Sequence, residues 1–177
     1  MTMDIIIYGT HYGTAQRYAQ ELSKRTKIEA ISFENVQDIN MYDTIIYIGS
    51  LYAGTVLGLS KTFKKMKDAS HTTMILVTIG LSDPFDDQNI SEIEKNISHQ
   101  ISKEIFQSIR TIFHFRGAMD YRKLSFGHRA MIKLLYSAIK NKPEDTLTAV
   151  DRAIKEAYNK NVDFTNFQEL EKIIREM

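Results

Sequence analysis

The 177-residue sequence contains no cysteine. Disulfides, thiolate nucleophiles and cysteine-ligated metal clusters are therefore excluded. Two prolines and eight glycines leave no room for a long flexible linker, and no internal repeat is visible. One domain spanning residues 1–177 is expected. No apolar run is long enough to span a bilayer. The N-terminus leads directly into a strand, so no secretory leader is expected, and the cytoplasm is the expected location. Neither sign of charge is in excess: 23 Lys and Arg face 22 Asp and Glu, a net charge of +1. A large negative field for steering toward a basic partner is therefore lacking. Near-neutral charge, and basic residues that lack the interleaved aromatics of a stacking groove, argue against nucleic acid as the partner. No pair of the five histidines stands at metal-ligand spacing on one helix face, so no metal site is expected.

What is present is the composition of a globular protein, 43% hydrophobic and 25% charged. Strand and helix patterns alternate. Strands are expected near Asp4–Tyr8, Glu29–Phe33, Thr44–Ile48, Met74–Ile79 and Ile112–Arg116. The third and fourth are near-continuous apolar runs, as in strands covered on both faces. Helices are expected near Thr14–Arg25, Leu59–Lys67, Ser91–Ser108, Gly127–Lys140 and Phe167–Glu176. Ser91 with Glu94, and Thr165 with Gln168, have capping-box spacing. Pro143 suits the first turn of a further helix reaching toward Tyr158. The alternation predicts an α/β fold, a parallel sheet with helices on both faces.

The most informative segment is Ile5-Ile6-Ile7-Tyr8-Gly9-Thr10-His11-Tyr12-Gly13-Thr14-Ala15. A buried strand turns directly into a helix, which aims loop N–H groups at one point where the helix dipole favours an anion. The loop has no Lys followed by Ser or Thr, so it is not a nucleoside-triphosphate loop. It also lacks the spaced glycines of a dinucleotide site. A phosphate monoester held without magnesium is the expected guest; the alternative is a plain strand-to-helix turn with no ligand.

Tyr8-Gly9-Thr10 followed by Gly13 resembles the phosphate loop of flavodoxins, which bind FMN noncovalently. Tyr42 through Ser50 is similar to the flavodoxin third strand entering the first flavin loop. Phe115-Arg116-Gly117-Ala118-Met119 through Met131-Ile132-Lys133-Leu134 resembles the flavodoxin-like protoporphyrinogen oxidase branch (protoporphyrinogen IX dehydrogenase), which has a Gly-Ala step after the last strand and then a basic, Met-Ile-Lys-rich insert. The resemblance implies a doubly wound five-stranded parallel sheet of order 2-1-3-4-5, a helical insert over 116–163, and FMN as cofactor. Two positions depart from the family pattern: Tyr12 and Ala15 stand where threonines are usual. Each lost hydrogen bond to phosphate costs about 0.5–1.5 kcal/mol, or more against a charged group.

Ligands of such sheets sit at the carboxyl ends of the strands. The expected cofactor-binding residues are Thr10, His11, Tyr12, Gly13, Thr14 and Ala15 in the first loop. Ser50, Leu51, Tyr52, Ala53 and Gly54 follow in the second, and Gly80, Leu81, Ser82 and Asp83 in the third. Tyr52 is expected to stack on the flavin ring or to be a half-exposed surface tyrosine, with Phe85 or Tyr12 as a second wall. Asp83 either accepts a hydrogen bond from a flavin N–H or caps the turn before Pro84. His11 and His128 are of interest for position alone.

The segment Arg116–Lys142 carries Arg116, Arg122, Lys123, Arg129, Lys133, Lys140 and Lys142, with Met131, Leu134, Leu135, Ala138 and Ile139 at helical spacing. Either this helix packs on the sheet with a solvated basic rim, or it docks an acidic partner, the propionates of a porphyrin, or an anionic membrane surface. Two functions remain open. One is an FMN-dependent oxidoreductase acting on protoporphyrinogen IX or a similar reduced substrate, with a quinone acceptor. The other is a flavodoxin-type electron carrier between redox proteins, with no substrate of its own. A flavodoxin fold without cofactor is a third reading. No catalytic acid or base is assigned.

Overall fold

The computed structural model describes residues 3–177. Five strands form the main sheet: β1 (Asp4–Gly9), β2 (Ala30–Ser32), β3 (Thr44–Tyr52), β5 (Thr73–Gly80) and β6 (Ile109–Arg116). All neighbours are parallel and the order is β2-β1-β3-β5-β6. Taken as the five expected strands, this is the order 2-1-3-4-5. A two-residue strand, β4 (Thr55–Val56), turns back antiparallel on β3 and lies outside that path.

The isoleucine-rich strands have no polar face because both faces are covered. Ile5, Ile7, Ile45, Tyr47, Met74 and Leu76 pack on one side against Leu59 and Phe63 of α2 (Leu59–Phe63) and Ile93 and Ile97 of α3 (Asp87–Gln100). Ile6, Ile46, Ile48, Ile75, Val77 and Ile79 pack on the other. Their partners there are Ala15, Tyr18, Ala19 and Leu22 of α1 (Thr14–Thr26), with Leu170 and Ile173 of α7 (Leu170–Glu176). Each such aliphatic side chain contributes about 1.5–3 kcal/mol on full burial. Tyr18 also links three segments: its hydroxyl donates to the Arg116 carbonyl (2.8 Å) and accepts from the Asn166 N–H (2.9 Å).

Several boundaries differ from the sequence expectation for local reasons. α3 begins at Asp87, because Asp86 accepts from the Asn89 N–H at 2.9 Å and so caps the helix ahead of Ser91. The expected single helix to Ser108 breaks at extended Ile101, and Ser102 caps a separate α4 (Lys103–Gln107). Helix α2 stops at Phe63 rather than Lys67. Asn166, not Thr165, caps the turn at Phe167–Glu169, while the Thr165 hydroxyl donates to Asp163. Pro143 opens only a short 3-10 turn, and α6 (Ala149–Ala157) starts at a capping box of Thr148 and Asp151.

The segment after β6 is not wholly helical. β7 (Ala118–Asp120) and β8 (Asn161–Asp163) pair antiparallel and bracket α5 (Phe126–Ile139) and α6. α5 does not lie flat on the sheet: it packs on α6, and Tyr136 stacks on Tyr158 with ring centroids 3.9 Å apart. Of the apolar residues expected to pack there, Ile139 is buried and Met131 half-buried, whereas Leu134, Leu135 and Ala138 are exposed.

Candidate functional site

The register fixes where the loops meet. Gly9 pairs with Gly49, and Gly80 pairs with Arg116, so the strands end at one level. Three loops leave from that edge. In the first, the Thr10 hydroxyl accepts from the Gly13 N–H at 2.9 Å, closing the loop. Gly13 has φ +89°, a conformation that favours glycine, and an added Cβ there would meet nothing within 4 Å. It precedes α1 without a capping side chain, and no acidic residue occupies the first turn. The first amides of an α-helix lack intrahelical partners. This donor set fits a phosphate monoester: free N–H groups, the positive end of a 13-residue helix, no competing carboxylate and open space in front.

Ala15 is fully buried, its methyl packed in the core. Only its backbone can serve a ligand. The Thr14 hydroxyl is turned to the Ala118 carbonyl (3.4 Å). Tyr12, 46% exposed, points across the loop toward α5. Its hydroxyl accepts from the Ser125 N–H (3.2 Å) and is hydrogen-bonded to Nδ1 of His128.

The second loop is the tight β3–β4 turn. Ala53 (φ +47°) and Gly54 (φ +78°) are both left-handed, the geometry of a type I′ hairpin. The Thr55 hydroxyl donates to the Tyr52 carbonyl at 2.9 Å. Tyr52 lies against His11 (ring centroids 5.1 Å apart, edge-on) and His128 (4.8 Å).

In the third loop, Arg116 donates twice to the Leu81 carbonyl, at 3.0 and 2.8 Å. It also pairs with Glu156 (3.1 Å) and stacks 3.6 Å over the Phe164 ring. Arg116 therefore holds the third loop in place and is not part of a free basic face. The Asn89 amide donates to the Ser82 hydroxyl and the Asp83 carbonyl, both at 3.1 Å. Gly117 donates to the Gly80 carbonyl at 2.7 Å, and a Cβ at Gly117 would stand 2.8 Å from Ile79 and 3.2 Å from Thr14.

Together the loops and α5 line a half-open cleft of about 580 Å³, the chamber, within the size range of small-molecule sites. Eleven of the fifteen expected residues line it: His11, Tyr12, Thr14, Ser50, Leu51, Tyr52, Ala53, Gly54, Gly80, Leu81 and Ser82. Thr10, Gly13 and Ala15 do not line it. Asp83 lies elsewhere, in a separate groove of about 470 Å³, where its Oδ1 accepts from the Phe85 N–H at 2.9 Å. Phe85 lines that same groove and is 79% exposed, so it is not a wall of the chamber.

One side of the chamber comes from outside the three loops. His128, Met131, Ile132 and Leu135 of α5, with Val150 and Ile154 of α6, close the chamber over the loops, and Asn89, Glu92 and Asn96 of α3 form its floor. The one sequence signal for it was the spacing of His128, Met131, Ile132 and Leu135, which share a single helix face.

A parallel sheet of this order, with a phosphate-ready loop after β1 and two further loops at the same edge, defines a flavodoxin-like α/β protein. The chain belongs to the Flavodoxin domain family, whose model matches residues 5–146. No curated protein matches it. Solved structures similar to it include a candidate flavoprotein from Bacteroides uniformis (14% identity, 67% of this chain and 92% of that chain, TM-score 0.48). A flavodoxin variant from Fusobacterium nucleatum bound to flavin mononucleotide is also similar (16% identity, 71% and 74% coverage, TM-score 0.43). So is a flavodoxin from the domain Archaea (12% identity, 64% and 83% coverage, TM-score 0.37).

Proposed function

We propose that this chain binds FMN and acts as an oxidoreductase on a reduced, flat, largely apolar substrate, protoporphyrinogen IX or a relative, with a quinone as acceptor. The supporting observation is the continuity of the chamber. One end is the uncapped N-terminus of α1, suited to the FMN phosphate, and the other is an apolar roof from α5 and α6. An electron carrier that only meets other proteins has no use for apolar side chains of two further helices beside the flavin site.

Bound FMN supplies hydride and single-electron chemistry at its ring. The residues around it have narrower tasks. The backbone N–H groups that open α1 would hold the phosphate, and the buried Ala15 would limit that contact to the backbone. Tyr52 offers an aromatic face to the ring, an electron-rich wall that disfavours negative charge on a reduced flavin. Met131, Ile132 and Leu135 would offer an apolar surface to the ring and its substrate. His11, Tyr12 and His128 stand together on the lining, where they could hydrogen-bond a ligand.

The test is reconstitution with FMN, then anaerobic mixing with protoporphyrinogen and menaquinone. Porphyrin fluorescence that rises only with FMN-loaded protein is expected. FMN-loaded protein that gives no rise, yet passes electrons from a flavin reductase to an acceptor protein, would establish the carrier instead.

A further inference from the structure

The outward face of α5 has no role in the chamber. Between Asp120 and Glu144 the sequence has no acidic residue and six cationic ones: Arg122, Lys123, Arg129, Lys133, Lys140 and Lys142. The rest of the chain holds the other 17 cationic side chains against all 22 acidic ones. A net charge of +1 thus conceals a basic projection on an acidic body. Arg122 pairs with Asp120, but Lys123, Arg129, Lys133, Lys140 and Lys142 form no salt bridge among the described residues.

The same face carries apolar side chains in water. Phe126 is 84% exposed and Leu134 is 72% exposed. Phe126, Ala130 and Leu134 recur at i, i+4 and i+8, forming one stripe on the side of the helix opposite His128 and Ile132, which line the chamber. Arg129, Lys133 and Lys140 flank the stripe along one side, and Arg122 and Lys123 precede its start.

We infer that α5 docks this protein on an anionic lipid surface. Clustered cations alone would suit any acidic partner. A large aromatic and a leucine standing in water between them, on a 14-residue helix, suit a headgroup boundary into which apolar side chains sink while cations meet phosphate. No helix among the described residues is long and apolar enough to cross a membrane, so α5 lies in the plane of the surface. The acidic body faces away from the anionic leaflet and orients the dock. In this pose the chamber, on the other face of α5, opens beside the bilayer. The inference does not depend on what the chamber binds.

The experiment is co-sedimentation of the full chain with vesicles of phosphatidylcholine alone, or of phosphatidylcholine mixed with phosphatidylglycerol, at several salt concentrations. Binding is expected only to the mixed vesicles and should weaken with salt. Removing one cation, as in Lys133→Gln, should weaken it about fivefold. Phe126→Ser with Leu134→Ser should weaken it roughly tenfold or more, with an unchanged circular dichroism spectrum. Failure to bind mixed vesicles overturns the inference. So does binding that ignores the double serine variant, since that is adsorption of charge alone. Capture by immobilised polyglutamate without vesicle binding would identify an acidic protein as the partner, and would overturn the lipid assignment.

Discussion

Replacing Tyr12 with phenylalanine isolates the clasp between the phosphate loop and α5. The ring stays, with its contacts to His128 (centroids 5.6 Å apart) and His11 (6.2 Å). What goes is one hydroxyl, which accepts from the Ser125 N–H at 3.2 Å and is hydrogen-bonded to His128 Nδ1. Both bonds lie at a half-exposed position, where water replaces part of each. At about 0.5–1 kcal/mol apiece, the loss is about 1–2 kcal/mol. None of this touches the two faces of the sheet, so the loss should fall on local opening of α5 and not on global unfolding. Amide hydrogen exchange over Ser125–Leu135 should quicken roughly 5–30-fold in Tyr12→Phe, at a factor of ten per 1.4 kcal/mol. Exchange in β3 and β5 should not change. Unchanged exchange in α5 would show that Tyr12 does not hold the roof. Equal acceleration in α5 and the central strands would show that α5 opens only when the whole chain does.

Three further outcomes follow from the geometry. Gly58 has φ +78°, and an added Cβ would lie 2.5 Å from the Phe33 ring and 2.7 Å from the Tyr47 hydroxyl. Gly58→Ala should therefore cost about 2–4 kcal/mol, combining left-handed strain with overpacking, and thermal unfolding should occur roughly 5–15 °C lower. The Tyr47 hydroxyl donates to the Leu57 carbonyl at 2.7 Å, and burial raises its pKa well above the ordinary tyrosine value. Tyr47→Phe should lower the urea midpoint by the equivalent of about 1–2 kcal/mol.

His114 is hydrogen-bonded to the Thr78 hydroxyl at 2.7 Å and stands 3.6 Å from Glu94. Burial lowers its pKa below the ordinary 6.5, and the nearby Glu94 carboxylate opposes this only in part. The unfolded chain then binds more protons than the folded one as pH falls through 6.5 toward the folded value. Its stabilising share is complete above 6.5 and declines across that window. Urea midpoints should fall accordingly in the parent chain, and His114→Gln should flatten that part of the profile.

The sheet was legible because its signal is local and redundant. Runs such as Ile5-Ile6-Ile7 and Thr44–Ile48 have no polar face, which only a strand covered twice explains. The loops after β1, β3 and β5 then had to meet, and eleven residues of the chamber followed from topology. The remainder depends on competition between neighbours or on distant contacts. Asp86 outcompeted Ser91 as a cap because its carboxylate reaches the Asn89 N–H. β7 and β8 are three residues each, too short for alternation to register, and they pair across more than forty positions. The clasp joins Tyr12 to a histidine 116 positions away. Leu134 looked like core because α5 is apolar on more than one side, and periodicity cannot tell which side meets protein. Asp83 and Phe85 belong to the right loop, but the bond from the Phe85 N–H to Asp83 turns both toward the other groove.

The central claim is that the uncapped start of α1 and the chamber beside it hold FMN. Titrating cofactor-free protein into FMN and following flavin fluorescence tests it directly. Quenching that saturates at one FMN per chain, and is weakened at least tenfold by Gly13→Val, is the predicted result; the substitution strains a left-handed residue in the loop without reaching the core. Fluorescence that stays at the level of free FMN through a molar excess of folded protein would contradict the account.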